Sequence, residues 1–234
     1  MDAVVLSLKT WTKAFLNLFF PELCEVCGAM LVHQEKLLCT ECLLELPRTG
    51  YHLLPDNPVE KLFWGRVRIE RASAFFRYSK GSSYHHILHK LKYSGKKEIG
   101  LEMGRLFAYT LQGTDFQQTD FIVPVPLHPK KEKKRGYNQS FWIALGLSEI
   151  LQVPVDSTSI IRVQDSSTQT RKNRIERWEN VQDIFDVIHP EVLDGKRIIL
   201  VDDVITTGAT LEGLILCVQK KVNCKIYLLS LAIA

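Results

Sequence analysis

The chain has 234 residues, 46% of them hydrophobic and 24% charged. Those shares exclude a disordered or collagen-like chain, and the length suffices for a core without disulfide staples. Lys and Arg outnumber Asp and Glu by 30 to 26, a formal charge of +4, which permits an anionic partner without demanding one.

At the N-terminus, Val4, Leu8, Trp11, Phe15 and Leu18 recur at helical spacing, and Pro21 ends the run. Residues 1–22 are therefore expected as an amphipathic helix. Its apolar face is expected to pack on its own chain, the alternative being a partner or a membrane surface. Asp2 at its start and Lys9 and Lys13 inside it do not fit a secretory leader. No apolar run reaches the ~20 residues of a membrane span. The expectation is a cytoplasmic protein that is not integral to a membrane.

Four of the six cysteines follow at once: Cys24 and Cys27, then eleven intervening residues, then Cys39 and Cys42. Each CxxC pair can turn two thiolates toward one ion, and two pairs close a tetrahedral four-thiolate site. Gly28 permits a left-handed turn behind the first pair. A redox motif accounts for one pair but not two, and a disulfide framework needs an oxidising compartment. Residues 23–46 are expected as a structural zinc knuckle. Cys217 and Cys224 stand apart and read as inert thiols.

Pro47, Pro55 and Pro58 punctuate residues 47–65, which read as a linker. The main domain is expected over 66–234. Residues 66–79 suggest a strand or hairpin arm, and two helical stretches follow over 82–95 and 96–113. A strand at 120–126 precedes a helix at 138–152, with Asn138 as its cap. Strands are expected at 155–163, 183–188, 196–203 and 224–234, with a helix at 209–221. Strand–helix–strand alternation indicates an α/β fold with a doubly wound parallel sheet.

The sharpest motif is IILVDDVITTGATLEG. A buried parallel strand delivers Asp202 and Asp203 to its C-terminal edge, where open α/β sheets bind ligands. Thr206, Thr207, Gly208, Ala209 and Thr210 then open a helix, as in an anion cradle. Acceptors for sugar hydroxyls beside a phosphate loop suit a phosphorylated ribose. The segment resembles the phosphoribosyl pyrophosphate (PRPP) motif of type I phosphoribosyltransferases. That resemblance implies that Asp202 and Asp203 hold the ribose at the catalytic centre, that residues 206–210 hold the 5-phosphate, and that Mg²⁺ arrives with PRPP.

IVPVPLHPKKEKKRGYNQS resembles the pyrophosphate loop of these enzymes, particularly of amidophosphoribosyltransferases. It carries Val125, Pro126 and Leu127, then Lys130, Lys131, Lys133, Lys134 and Arg135. The stretch with Arg171, Arg174 and Arg177 resembles the hood that closes over PRPP. The full order, from the cysteine knuckle through VPVPL, RGYNQS and QT…RWENV to VDDVITTGAT, resembles the ComF family of competence-associated proteins. That resemblance implies PRPP binding and a part in DNA uptake during natural transformation. It also implies handling of single-stranded DNA, and contact with competence or replication machinery through the N-terminal helix.

The cations at 130–135 are the DNA-binding candidates, and Tyr93 and Tyr137, each beside basic residues, are candidates to stack bases. The alternative is an active, amidophosphoribosyltransferase-like enzyme that moves phosphoribose to an amine or base. Thr206 stands where hypoxanthine-type enzymes carry an acidic base, which puts transfer to a nucleobase in question.

Overall fold

The computed structural model describes residues 21–32, 34–79, 81–163 and 184–234. The expected N-terminal helix, apart from its last two residues, and the hood with Arg171, Arg174 and Arg177 lie outside them. The chain divides into two compact units, Met1–Leu46 and Pro47–Ala234.

In the first unit an antiparallel bridge joins Leu23 to Met30. Cys39 sits at the N-cap of a short helix α1, Thr40–Leu44. The Glu35 carboxylate accepts from the Thr40 backbone N–H (2.6 Å) and hydroxyl (2.7 Å).

Residues 47–65 are no linker: they belong to the second unit and are built into its core. Tyr51, Val59 and Phe63 are buried there. Asn57 caps helix α2, Pro58–Lys61, in a complete capping box with Glu60. Its Nδ2 also donates to the carbonyls of Tyr51 (3.2 Å), Leu54 (3.0 Å) and Ala72 (2.9 Å). Glu60 Oε1 accepts from the Ala72 N–H (3.1 Å) and from Arg71 (3.0 Å), both at the start of strand β1, Arg71–Arg77. Asn57→Ala removes both faces of this junction and is expected to destabilise the protein by about 2–3 kcal/mol. A urea midpoint that stays within error of wild type contradicts that role.

Helices α3, His85–Tyr93, and α4, Lys97–Leu111, follow. Strand β2, Phe121–Pro124, leads to helices α5, Pro129–Arg135, and α6, Gln139–Leu151. Asn138 caps α6 by accepting from the Ser140 N–H at 3.0 Å, as expected. Gly104 and Gly146 let α4 and α6 meet backbone to backbone. A Cβ on Gly104 would lie 2.4 Å from the Ile143 carbonyl oxygen. That contact fixes α6, which also packs on the sheet.

Strands β3, Ile160–Arg162, and β4, Phe185–Val187, form a separate antiparallel pair. They do not extend the main sheet, and only Val155 of the expected 155–163 strand bridges β2. After the short helix α7, Pro190–Leu193, comes β5, Arg197–Ile205. Helix α8, Ala209–Lys221, then leads to β6, Lys225–Ile233.

The main sheet has the order β1-β6-β5-β2 and all its pairings are parallel. Ile198 to Val201 of β5 and Leu228 and Leu229 of β6 are fully buried, as strands covered on both faces require. The second unit is thus α/β with a parallel main sheet, as expected.

Candidate functional site

The site forms where β5 outruns β2. Pro124 and Pro126 donate no N–H, so pairing ends with the Val125 N–H to the Val201 carbonyl at 2.9 Å. Asp202 and Asp203 come next on β5, beyond that edge. Adjacent strand residues point to opposite sides. Asp202 Oδ1 accepts from Ser140 Oγ at 3.3 Å, and Asp203 Oδ2 pairs with Lys92 Nζ at 3.1 Å. The Asp203 N–H also donates to Asp202 Oδ1, at 2.8 Å.

Burial pushes the Asp202 carboxyl up to about 7, and the neighbouring Asp203 charge adds to the rise. The Asp203 N–H, Lys92 and Ser140 act against it. A carboxyl poised there exchanges its proton readily when a ligand arrives.

The pair faces a cleft of about 240 Å³. Lys92, Lys131, Arg135 and Arg162 line it, as do Val125, Pro126, Leu127, Asn138, Gln139, Ser140 and Thr210. Four cationic side chains thus confront two carboxylates, which suits a ligand richer in negative charge than in hydroxyls. Lys130, Lys133 and Lys134 of the basic run are not in this lining. The run itself is a helix, α5, started by His128 Nδ1 accepting from the Lys130 N–H (3.2 Å) and ended by left-handed Gly136.

A smaller hollow of about 40 Å³ adjoins, sharing Asp202, Val204 and Thr210 with the cleft. Thr206, Thr207, Gly208, Ala209 and Thr210 form its wall, and all but Gly208 are exposed. Gly208 is held at φ +77°, and a Cβ there would lie 3.2 Å from the Phe63 ring. Leu62 and Phe63, within the stretch expected as a linker, therefore buttress the loop. The N–H groups opening the thirteen-residue α8 face an anion-sized space.

In the first unit, the sulfurs of Cys24, Cys27, Cys39 and Cys42 all lie within 4.8 Å of one another. The Cys27–Cys39 separation is 3.7 Å, close to the edge of a tetrahedron of thiolates at about 2.3 Å from a central ion. Gly28 takes the left-handed conformation, φ +74°, and its N–H reaches the Cys24 carbonyl at 3.0 Å. Burial opposes the Cys24 thiolate, but N–H groups of Cys27, Cys39 and Val26 outweigh it and lower the thiol to about 6. Burial and the other three cysteines push Cys42 up, and a cation relieves that crowding. The donor set fits a metal ion.

The Phosphoribosyl transferase domain family matches residues 138–231. The DNA utilization protein YhgH of Escherichia coli O157:H7 is 30% identical over 192 residues, covering 80% of each chain. The chain belongs to the ComF family. Competence protein ComFC of Bacillus subtilis is 29% identical over 217 residues, 91% of this chain and 84% of its own. Competence protein F of Haemophilus influenzae is 36% identical over 92 residues, 39% of this chain and 40% of its own.

In this ComF protein several cleft residues escaped the sequence reading. Lys92 stands in the sequence only as one of the basic residues beside Tyr93, and Asn138 only as a helix cap within RGYNQS. Ser140 closes the RGYNQS motif with no role implied there, and Arg162 carries no signal, because a lone Arg in a three-residue strand is unremarkable until folding brings it to the cleft. Among the described residues, no helix is long and apolar enough to cross a membrane.

Proposed function

We propose that this phosphoribosyltransferase-like protein binds PRPP with Mg²⁺ in the β5 cleft and handles single-stranded DNA in DNA uptake. What supports the reading most is the Asp202–Asp203 pair standing between the open 206–210 loop and a cation-lined cleft. In this reading the two carboxylates accept from the ribose 2- and 3-hydroxyls. Thr206, Thr207, Thr210 and the N–H groups of Gly208 and Ala209 hold the 5-phosphate. The backbone of Val125, Pro126 and Leu127, with Lys131, Arg135 and the hood arginines Arg171, Arg174 and Arg177, meets the diphosphate. Mg²⁺, where bound, neutralises diphosphate charge. The four cysteines hold a structural zinc, and the N-terminal helix docks on competence or replication machinery.

The DNA part draws on the relatives named for competence and DNA utilization, and on the basic helix α5 with Lys130, Lys131, Lys133, Lys134 and Arg135, of which Lys131 and Arg135 line the cleft. Binding of a single strand should weaken by about 0.7 log unit per log unit of salt for each phosphate contacted. Changing Lys133, Lys134 and Arg135 together to Ala should flatten that slope for every sequence alike. A variant that loses PRPP but keeps the strand with its full slope overturns the DNA reading. Calorimetry with Mg-PRPP tests the other half.

A transferase reading is narrowed by one observation. Asp202 and Asp203 are the only acidic side chains lining the cleft or the loop hollow among the described residues, and Thr206 supplies no base. Transfer therefore suits an amine that needs no deprotonation, and pyrophosphate release across amines and nucleobases tests it.

A further inference from the structure

Helix α3 has two faces, and the core uses one. Ile87, Leu88 and Leu91 are buried. His85, His89 and Tyr93 recur every fourth residue, so they form one ridge along the outer side. Their rings are in register. Tyr78 stacks on His85 at 5.5 Å between centroids, His85 on His89 at 6.3 Å, and His89 leans on Tyr93 at 4.9 Å. The Arg135 guanidinium sits over the Tyr93 ring at 5.6 Å. Arg135 in turn lines the cleft and donates to Gln139 Oε1 at 2.8 Å. A row of π-surfaces thus runs from the end of β1 to the cleft mouth.

The row is fixed; Tyr78 and His85 are half-buried, and its outer end is open. The Tyr137 hydroxyl donates to the Leu91 carbonyl at 2.5 Å, which ties the end of α3 to the turn between α5 and α6. His89 is exposed and Tyr93 is 65% exposed. Core packing gives no reason for large rings at these last two positions. The charge around them has one sign, since residues 81–97 carry Lys90, Lys92, Lys96 and Lys97 and no Asp or Glu. Aromatic faces beside a one-signed cationic helix match unpaired bases on a phosphate backbone.

We propose that Tyr78, His85, His89 and Tyr93, ending in Arg135, form a stacking track for the bases of a single strand. The proposal rests on the reading that this protein handles single-stranded DNA, and it assigns the surface that does so. Along the helix the three rings span about 12 Å. That is room for about four bases at the roughly 3.4 Å rise of a strand. The strand's phosphates run beside the lysines of α3 and α5, and its end reaches the cleft. Bases in a duplex hide their faces, so the track selects unpaired strands.

The test uses the full chain and fluorescein-labelled oligothymidylate, followed by anisotropy across a salt series. His89→Ala with Tyr93→Ala is expected to weaken binding by about 30-fold or more, at about 5-fold or more for each stacked base lost, with the salt slope unchanged because no phosphate contact is lost. Tyr93→Phe keeps the ring and restores most of the affinity of the Tyr93→Ala form. Mg-PRPP affinity stays at the wild-type value in all three, and a duplex of matching length does not compete. Photocrosslinking with 5-iododeoxyuridine should place the strand on peptides holding His89 and Tyr93. Undiminished affinity in the double variant, or crosslinks confined to other peptides, overturns the track while leaving single-strand handling intact. A wild-type protein that binds no single strand overturns both.

Discussion

Replacing Cys24 with serine will release the metal and unravel the Met1–Leu46 unit while the Pro47–Ala234 unit still melts cooperatively. The expectation follows from how little else holds the smaller unit. Its buried side chains among the described residues are Cys24, Leu37, Leu38, Cys39, Cys42 and Leu46, half of them the metal-site thiols. A unit with so few buried side chains has little apolar surface to offset chain entropy, and at 46 residues it is close to the size, about 40 residues, below which a metal or disulfides are usually needed. Zinc bound by four thiolates supplies of the order of 10 kcal/mol, and that binding energy is folding energy. Elemental analysis should find one zinc per wild-type chain and none in the variant. Limited proteolysis should cut the variant between residues 21 and 46 and spare β5 and β6. A wild-type protein free of metal whose first unit nonetheless resists the protease would overturn the assignment.

The parts of this fold that were readable in the sequence are those where a local pattern and a global role coincide. The run Ile198 to Val201 is apolar on both faces because β5 is central in a parallel sheet, and the same run delivers Asp202 and Asp203 to the edge where β2 ends. The doubled CxxC is local by nature, and its four sulfurs converge as its spacing implied.

The failures have a common cause in long-range contacts. Prolines made 47–65 look like a tether, but Pro58 opens α2 at a position where its missing N–H costs nothing, and Asn57 reaches across to β1. PKKEKKR looked like a loop because its charges mask a helix capped by His128 and Gly136. Strands at 160–162 and 185–187 carry the right residue types but pair with each other, and composition does not select a partner. Lys92 was invisible as a site residue because its partner, Asp203, lies more than a hundred residues further along the chain.

The second large effect concerns Asp202, and it pulls stability and binding in opposite directions. The folded state lifts this carboxyl from the ordinary 3.8 to about 7, through burial first and the Asp203 charge second. Between those values the folded protein holds a proton that the unfolded chain releases, so stability declines as pH rises through about 4 to 7. The full shift is equivalent to about 4 kcal/mol. Water reaching the open cleft reduces this to about 1–2 kcal/mol. Asp202→Asn carries no charge to bury, so its melting temperature should match wild type near pH 4 and exceed it at pH 8. Binding runs the other way. A ribose hydroxyl donates to a carboxylate, so Mg-PRPP must displace the Asp202 proton, and wild-type affinity should climb from pH 6 to pH 8. The amide can accept only one such bond and has no charge to strengthen it. Asp202→Asn should therefore bind Mg-PRPP more weakly by about 1–3 kcal/mol at pH 8, with less difference at pH 6. Comparing the two proteins at each pH cancels titration of the ligand's own phosphates. A buried carboxylate that only shaped the fold would yield the stability gain without the binding loss. An Asp202→Asn protein that melts higher at pH 8 yet binds Mg-PRPP as wild type does would remove the ribose from this pair.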